Sequence, residues 1–149
     1  MGLKYKNILV AVDGSKEAEW AFKKGIEIAK RHDAALLLTH VIDTRTFAMV
    51  EAYDRTIAEK ADKLATELLE NYQSIARKAG VEKVDYEIEF GSPKIRIPKD
   101  IAKKHQVDLI ICGATGMNAV ERFFIGSVSE HITRYANCDV LVVRTEKDS

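Results

Sequence analysis

Several shortages in this sequence each remove a class of protein. There are two cysteines, Cys112 and Cys138, and they form no CxxC pair. No disulfide framework or thiolate zinc site is therefore expected, and two reduced structural thiols of a cytoplasmic protein account for them. Net charge is absent too: 23 basic side chains balance 23 acidic ones, with no basic block. A nucleic-acid partner, which usually demands a basic surplus, is not expected. No apolar run approaches the length of a membrane-spanning helix, and the longest, ALLL and DLIIC, are strand-sized. The opening MGLKYKNILVAVDGS has an apolar stretch too short for a secretory signal, and Lys6 stands where N-myristoylation needs Ser or Thr. No internal repeat, low-complexity segment or linker interrupts the 149 residues, which suit one domain (1–149) with a real core. The expectation is a cytoplasmic single-domain protein with no membrane or nucleic-acid partner.

What is present is alternation. NILVAV (7–12) reads as a strand and leads through DGS into a helix as far as Arg31, with Ser15 as N-cap, Glu17 and Glu19 in the first turn and Lys30 and Arg31 in the last. AALLLTHV (34–41) is a continuous apolar run, as in a strand covered on both faces. Ile57, Ala61, Leu64, Leu68, Tyr72, Ile75 and Ala79 follow helical spacing, and Gly80 ends that helix. DYEIEF (85–90) alternates like a strand near a sheet edge. Ser92 and Pro93 then suit an N-cap and first helical position, but Pro98 must disturb the segment, so an irregular first turn and a helix to His105 are expected. VDLIIC (107–112) is a fourth strand, 126–135 a helix and DVLVVR (139–144) a fifth strand. Strands separated by helices force an α/β fold: a five-stranded parallel sheet with right-handed crossovers and helices on both faces. Ligands of such sheets lie beyond the carboxyl ends of the strands.

The segment at the fourth strand end is GATGMNAVERFFIGSVSEH. Gly113 lets a ligand approach the backbone, Gly116 permits a tight turn, and Gly126-Ser127-Val128-Ser129 opens a helix. A helix start offers unpaired N–H groups and the positive end of a dipole, and two serine hydroxyls add donors, so phosphate is a natural occupant. On spacing alone, a plain turn followed by a helix remains an equal alternative. A Walker A loop is excluded, because no Lys-Ser/Thr pair follows Gly126; so is GxGxxG after the first strand, where the chain has only DGS.

The glycine spacing, Gly-x2-Gly-x9-Gly-Ser, together with NILVAVDGS, THVID, FGSP and DVLVVR in order along nearly the whole chain, resembles the ATP-binding subclass of the universal stress protein family. That resemblance implies an adenine nucleotide alpha hydrolase-like sheet of strand order 3-2-1-4-5. It also implies ATP, or ADP or AMP, at the open strand ends, with a divalent metal such as Mg on the phosphates. By matching positions, Val12, Asp13 and Ser15 would line the adenosine, and the Val41 main chain would read adenine. Gly113 and Gly116 would approach ribose and phosphate, and Gly126, Ser127, Val128 and Ser129 would hold the phosphates. Arg122 could approach a phosphate or be a solvated charge paired with Glu121. Two positions depart from the family pattern: Pro98, where a smooth helix is usual, and Asp139, where proline often precedes the last strand.

Other groups have plainer readings. Asp13 could bond ribose or assist a metal, or serve only the DGS turn. The four histidines show no metal spacing; His32 and His105 suit helix ends, and His131 alone lies near the glycine segment. Phe123 and Phe124 read as packing residues. Phosphoryl transfer needs a positioned base and a charge-stabilising Lys, Arg or metal, and neither a phosphate-facing lysine nor paired carboxylates can be found. A nucleotide-dependent stress-response regulator, with at most slow hydrolysis, is favoured over an adenylyl-transferring or ATP-hydrolysing enzyme, whose SGGxDS loop is missing after strand one. A receiver domain would need an acidic cluster there and a lysine where Arg144 stands. The last strand, Val140 to Arg144, is an unprotected edge that invites pairing with a copy of itself, and the resemblance implies such a homodimer. Light scattering at micromolar concentration is expected to return a dimer; a strict monomer would overturn this.

Overall fold

The computed structural model describes residues 4–43, 55–114 and 125–144. In chain order the elements are β1 (Asn7–Ala11), α1 (Lys16–His32), β2 (Ala35–Asp43), α2 (Arg55–Ala79), β3 (Val84–Gly91), a composite helix α3 (93–104), β4 (Leu109–Gly113), α4 (Ser127–Tyr135) and β5 (Asp139–Val143). The strands form one sheet of order β3-β2-β1-β4-β5, and every neighbouring pair is parallel. This is the expected five-stranded α/β sheet.

Both faces are apolar, for a reason the strands make visible. Successive side chains point to opposite faces, so an uninterrupted apolar strand feeds two cores. Ile8, Val10, Leu36, Leu38, Leu109 and Ile111 pack with Phe22 and Ala29 of α1 and Leu69 and Ala76 of α2. Leu9, Leu37, Val41, Ile110 and Cys112 pack with Ile97 and Ile101 of α3 and Ile132 of α4. Helix α1 comes close because Gly25 faces the sheet: a Cβ there would lie 2.7 Å from Val10 Cγ2.

Helix ends follow the chemistry of their residues. The Ser15 Oγ accepts the Ala18 N–H at 3.1 Å, capping α1. Asp33 ends it in a left-handed conformation (φ 54°), and Gly80 ends the next helix at φ 110°. His32 has a definite partner, since its Nδ1 accepts the Tyr5 N–H at 3.1 Å. His105 is explained by more than the helix dipole, because its Nε2 lies 3.1 Å from Glu87 Oε1 on β3, which also accepts from Lys104 Nζ at 2.9 Å. Burial alone would raise the Glu87 carboxyl; the hydrogen bonds from Lys104 and His105 outweigh it and hold the pKa below the ordinary value.

Three expectations need correction. The irregularity at Pro98 is not a first turn. Pro93–Ile95 is α-helical, Arg96–Ile101 is π-helical, and Ala102–Lys104 is α-helical again. Proline has no N–H for the bond four residues back, and the wider π turn, closed by Ala102 N–H on the Ile97 carbonyl, accommodates it. Ser92 occupies the N-cap position but makes no side-chain cap bond; its carbonyl accepts from Ile95 and Arg96. The fourth strand begins at Leu109 rather than Val107. The Val107 N–H returns to the Ala102 carbonyl, and the Asp108 carboxylate accepts from the N–H groups of Lys6 and Asn7 at 2.8 and 3.0 Å. Asp139, at the head of β5, has a partner from the start of the chain: its Oδ2 accepts from the Tyr5 hydroxyl at 2.7 Å.

Alanine at position 25 would ordinarily strengthen a helix by about 1 kcal/mol. Here the overlap with the stiff, buried Val10 should reverse that sign. Gly25→Ala is expected to cost about 1–3 kcal/mol in urea unfolding, and a gain in stability would show that α1 does not seat where described.

Candidate functional site

Strand order reverses between β1 and β4, because β1 runs on to β2 on one side while β4 leads to β5 on the other. A crevice opens at such a reversal, beyond the carboxyl ends of the two strands. Val12, Asp13 and Ser15 leave β1 at that end, Val41 lies near the end of β2, and Gly113 closes β4. Gly126 to Ser129 begin α4 beside it. Gly116 and Arg122 fall outside the described residues, as do Glu121, Phe123 and Phe124.

The edge of β2 is the first feature with binding chemistry. The ladder between β1 and β2 ends at Ala11 and Thr39, with one further bond beyond it, Val12 N–H to the Thr39 carbonyl at 2.8 Å. β2 itself continues to Asp43, paired with β3 throughout. Main-chain groups alternate sides along a strand, so Val41, two residues beyond Thr39, turns its N–H and C=O toward the side that β1 has vacated. One donor and one acceptor are thus presented together at the mouth of the crevice. The Val41 side chain is buried in the core behind them.

The second feature is the start of α4. The N–H groups of Ser127, Val128 and Ser129 open the helix, and Gly126 at the cap has no side chain to satisfy them. Ser127 is exposed, and among the described residues its hydroxyl has no hydrogen-bond partner. The Gly126 N–H is already used, bonded to the Ala114 carbonyl at 2.7 Å, while the Ala114 N–H reaches the Val143 carbonyl at 2.8 Å. Those bonds hold Ala114 and Gly126 against the end of the sheet.

Several expected roles change on this geometry. The Ser129 side chain does not face the crevice; it is buried, and its hydroxyl donates to the Gly113 carbonyl, tying α4 to the end of β4. Of the two serine hydroxyls expected as phosphate donors, only that of Ser127 is exposed. Gly113 lacks a Cβ for a different reason from the one expected. The vacant position faces protein, with the Glu17 carbonyl carbon and Cβ at 2.9 Å and the Ala18 nitrogen at 3.1 Å. It admits the first turn of α1, not a ligand, on that side. The Asp13 carboxylate accepts the Ser15 N–H at 2.9 Å through Oδ1, which makes it the turn residue of DGS, and the residue itself is exposed.

His40 lies within THVID at the end of the second strand, yet the sequence assigned it no role of its own at the site. Its Nδ1 lies 2.6 Å from the Val12 carbonyl oxygen, at the point where β1 leaves the sheet. The His131 ring packs at a tilt against Tyr135 of its own helix, with ring centroids 4.4 Å apart. Burial raises the Cys112 thiol to about 11, against a smaller opposing contribution from the Ser129 hydroxyl, so it stays protonated near neutrality. Burial raises Cys138 as well. Among the described residues no group of three or more His, Cys, Asp or Glu side chains could hold a metal ion. A groove of about 340 Å³ between Lys24, Glu27 and Arg31 of α1 and residues 141–144 lies along β5. Among the described residues no helix is long and apolar enough to cross a membrane.

Comparison with known proteins agrees with this architecture. The family model of the universal stress proteins matches residues 4–144. A Staphylococcus haemolyticus protein named for that family is 57% identical over 145 residues, 97% of this chain and 88% of its own length. The structure of the universal stress protein UspA from Lactobacillus plantarum superposes with a TM-score of 0.86 at 35% identity, covering 96% of this chain and 100% of that one. A universal stress protein from Archaeoglobus fulgidus, solved in complex with dAMP, superposes with a TM-score of 0.67 at 26% identity, covering 95% of this chain and 100% of that one.

The tie between Ser129 and Gly113 can be tested directly. Ser129→Ala leaves the Gly113 carbonyl without its hydroxyl partner and is expected to cost about 1–2 kcal/mol, lowering the urea midpoint with the slope unchanged. An unaltered midpoint would show that the bond does not hold α4 in place.

Proposed function

We infer that this chain, which belongs to the universal stress protein family, holds an adenine nucleotide at the crevice between β1 and β4 and acts as a nucleotide-dependent regulator. One observation carries the reading. The paired N–H and C=O of Val41, on the edge that β1 vacates, and the open N–H groups of Ser127, Val128 and Ser129 flank the same strand reversal. A main-chain acceptor beside a main-chain donor suits the amino group and N1 of adenine, and a helix start suits phosphate. The Archaeoglobus fulgidus relative in complex with dAMP supports a nucleotide of that class.

In this reading Val12, Asp13 and Ser15 line the adenosine side, and the second Asp13 oxygen is available to a ribose hydroxyl. Ser127, Val128 and Ser129 hold phosphate through their N–H groups, Ser127 also through its hydroxyl. Gly113, Gly116, Gly126 and Arg122 complete the surroundings, the glycines by shaping the backbone and Arg122 as a cation for a phosphate. ATP is the proposed resident, with ADP or AMP as alternatives, and a divalent ion such as Mg would ride on the phosphates. A helix start and backbone donors bind charge without moving protons, so hydrolysis should be slow. The β5 edge, Val140 to Arg144, is the proposed homodimer contact.

Heat-denatured protein is expected to release an adenine nucleotide, and calorimetry with ATP and Mg should detect a site in nucleotide-free protein. Gly126 has φ −64°, a conformation open to any residue. Gly126→Val combined with Ser127→Ala should therefore abolish binding and leave the circular dichroism spectrum intact. No release and no calorimetric signal from the wild type would overturn the reading. ATP turnover near the ordinary enzyme value of about 10 per second would overturn the regulatory part of it.

A further inference from the structure

Val12 sits at a break in the hydrogen-bond ladder. Its N–H makes the last bond to β2, 2.8 Å to the Thr39 carbonyl, and the residue is 2% exposed. Its own carbonyl lies past the ladder, and a buried carbonyl without a partner is costly. Among the described residues the partner it finds is the His40 ring, with Nδ1 at 2.6 Å. A carbonyl oxygen only accepts, so Nδ1 must carry the proton whether the imidazole is neutral or charged.

His40 is well placed for more than filling a gap. In register it pairs with Ile88 of β3, so its main chain belongs to the β2–β3 ladder while its side chain reaches the end of β1. One residue later comes Val41, whose main chain lies past the last bond to β1 and faces the same place. A single residue thereby couples the exit of β1, which leads through the Asp13 turn into the Ser15 cap, to the strand edge beside the crevice.

We propose that His40 is a positioning residue: by donating Nδ1–H to the Val12 carbonyl it sets the spacing between the exit of β1 and the free edge of Val41, and so orders the adenine-binding end of the crevice before the nucleotide arrives. This rests on the nucleotide reading above. It assigns His40 no contact with the ligand. Its contribution is preorganisation, which raises affinity by removing an ordering cost from the binding step.

The donor rather than the ring is what matters, which makes the conservative variant informative. In His40→Asn the side-chain amide nitrogen stands at the position of Nδ1 and can donate to the same carbonyl. His40→Leu keeps comparable bulk and has no donor. In the nucleotide-free wild type, nitrogen NMR of the imidazole should show the proton on Nδ1 in the neutral form; a neutral ring protonated on Nε2 would overturn the proposal. Amide exchange at Val12 should quicken by about tenfold or more in His40→Leu, as expected for an uncoupled strand end, and stay near the wild-type rate in His40→Asn. Calorimetry with ATP and Mg should give a dissociation constant about tenfold weaker for His40→Leu and within about threefold of wild type for His40→Asn. Equal losses in the two variants, or none in either, would overturn the positioning role while leaving the nucleotide site standing. Absence of binding by the wild type would overturn the nucleotide reading and this role together, with the NMR and exchange results still deciding whether the bond exists. Should His40→Leu fail to fold, the Asn variant and the tautomer decide the matter.

Discussion

The hydrogen bond from the Val12 N–H to the Thr39 carbonyl is the last rung between β1 and β2. Beyond it β2 keeps its pairing with β3 as far as Asp43, and β1 turns away into α1. The open end of the sheet is a consequence of that mismatch in length. It leaves the polar main chain of Val41 facing vacated space, creates the buried Val12 carbonyl that His40 satisfies, and sends the chain into the Asp13 turn and the Ser15 cap. Had β1 run two residues further, its own backbone would have consumed the donor and acceptor that the proposed site would offer a base.

The other wall of the crevice is held by a different kind of contact. Helix α1 can lie against the end of β4 only because Gly113 has no Cβ, and α4 is tied to the same residue by the Ser129 hydroxyl. Two helices of opposite faces therefore meet the sheet at one glycine. This places the N-terminal end of α4 beside the strand reversal, where its N–H groups can act on an anion. Small size at Gly113 is a packing requirement first, and its value to a ligand is indirect: it fixes where the helix begins.

Much of the fold was legible in the chain, for identifiable reasons. The apolar runs NILVAV, ALLL and DLIIC are strands buried on both faces, and such runs separated by amphipathic helices allow little but a parallel sheet. Capping at Ser15 and termination at Gly80 were readable because they depend on residues within one turn. Pro98 announced a disturbance, yet its form as a π-helical segment in mid-helix depended on packing Ile97, Pro98 and Ile101 into the core. The exact start of β4 was hidden because the Asp108 carboxylate serves the backbone of Lys6 and Asn7, about a hundred residues earlier. The strand reversal was legible as a place, and which side chains are exposed or buried around it was less so. Ser129 looked identical to Ser127 as a donor until helix α4 turned one hydroxyl inward and left the other exposed.

By itself the sequence determined the family, the alternation of strands and helices, and the glycine spacing that marks the fourth strand end, because these arise from local periodicity and from residue types at fixed separations. Tertiary structure decided which groups remain free at that end. Whether β1 bonds the main chain of Val41 depends on where that strand stops, whether Ser129 can donate outward depends on which way a helix faces, and whether His40 matters depends on a carbonyl 28 residues away. Hydrogen-bonding capacity is written into each residue, but only the assembled fold determines which of it has already been used.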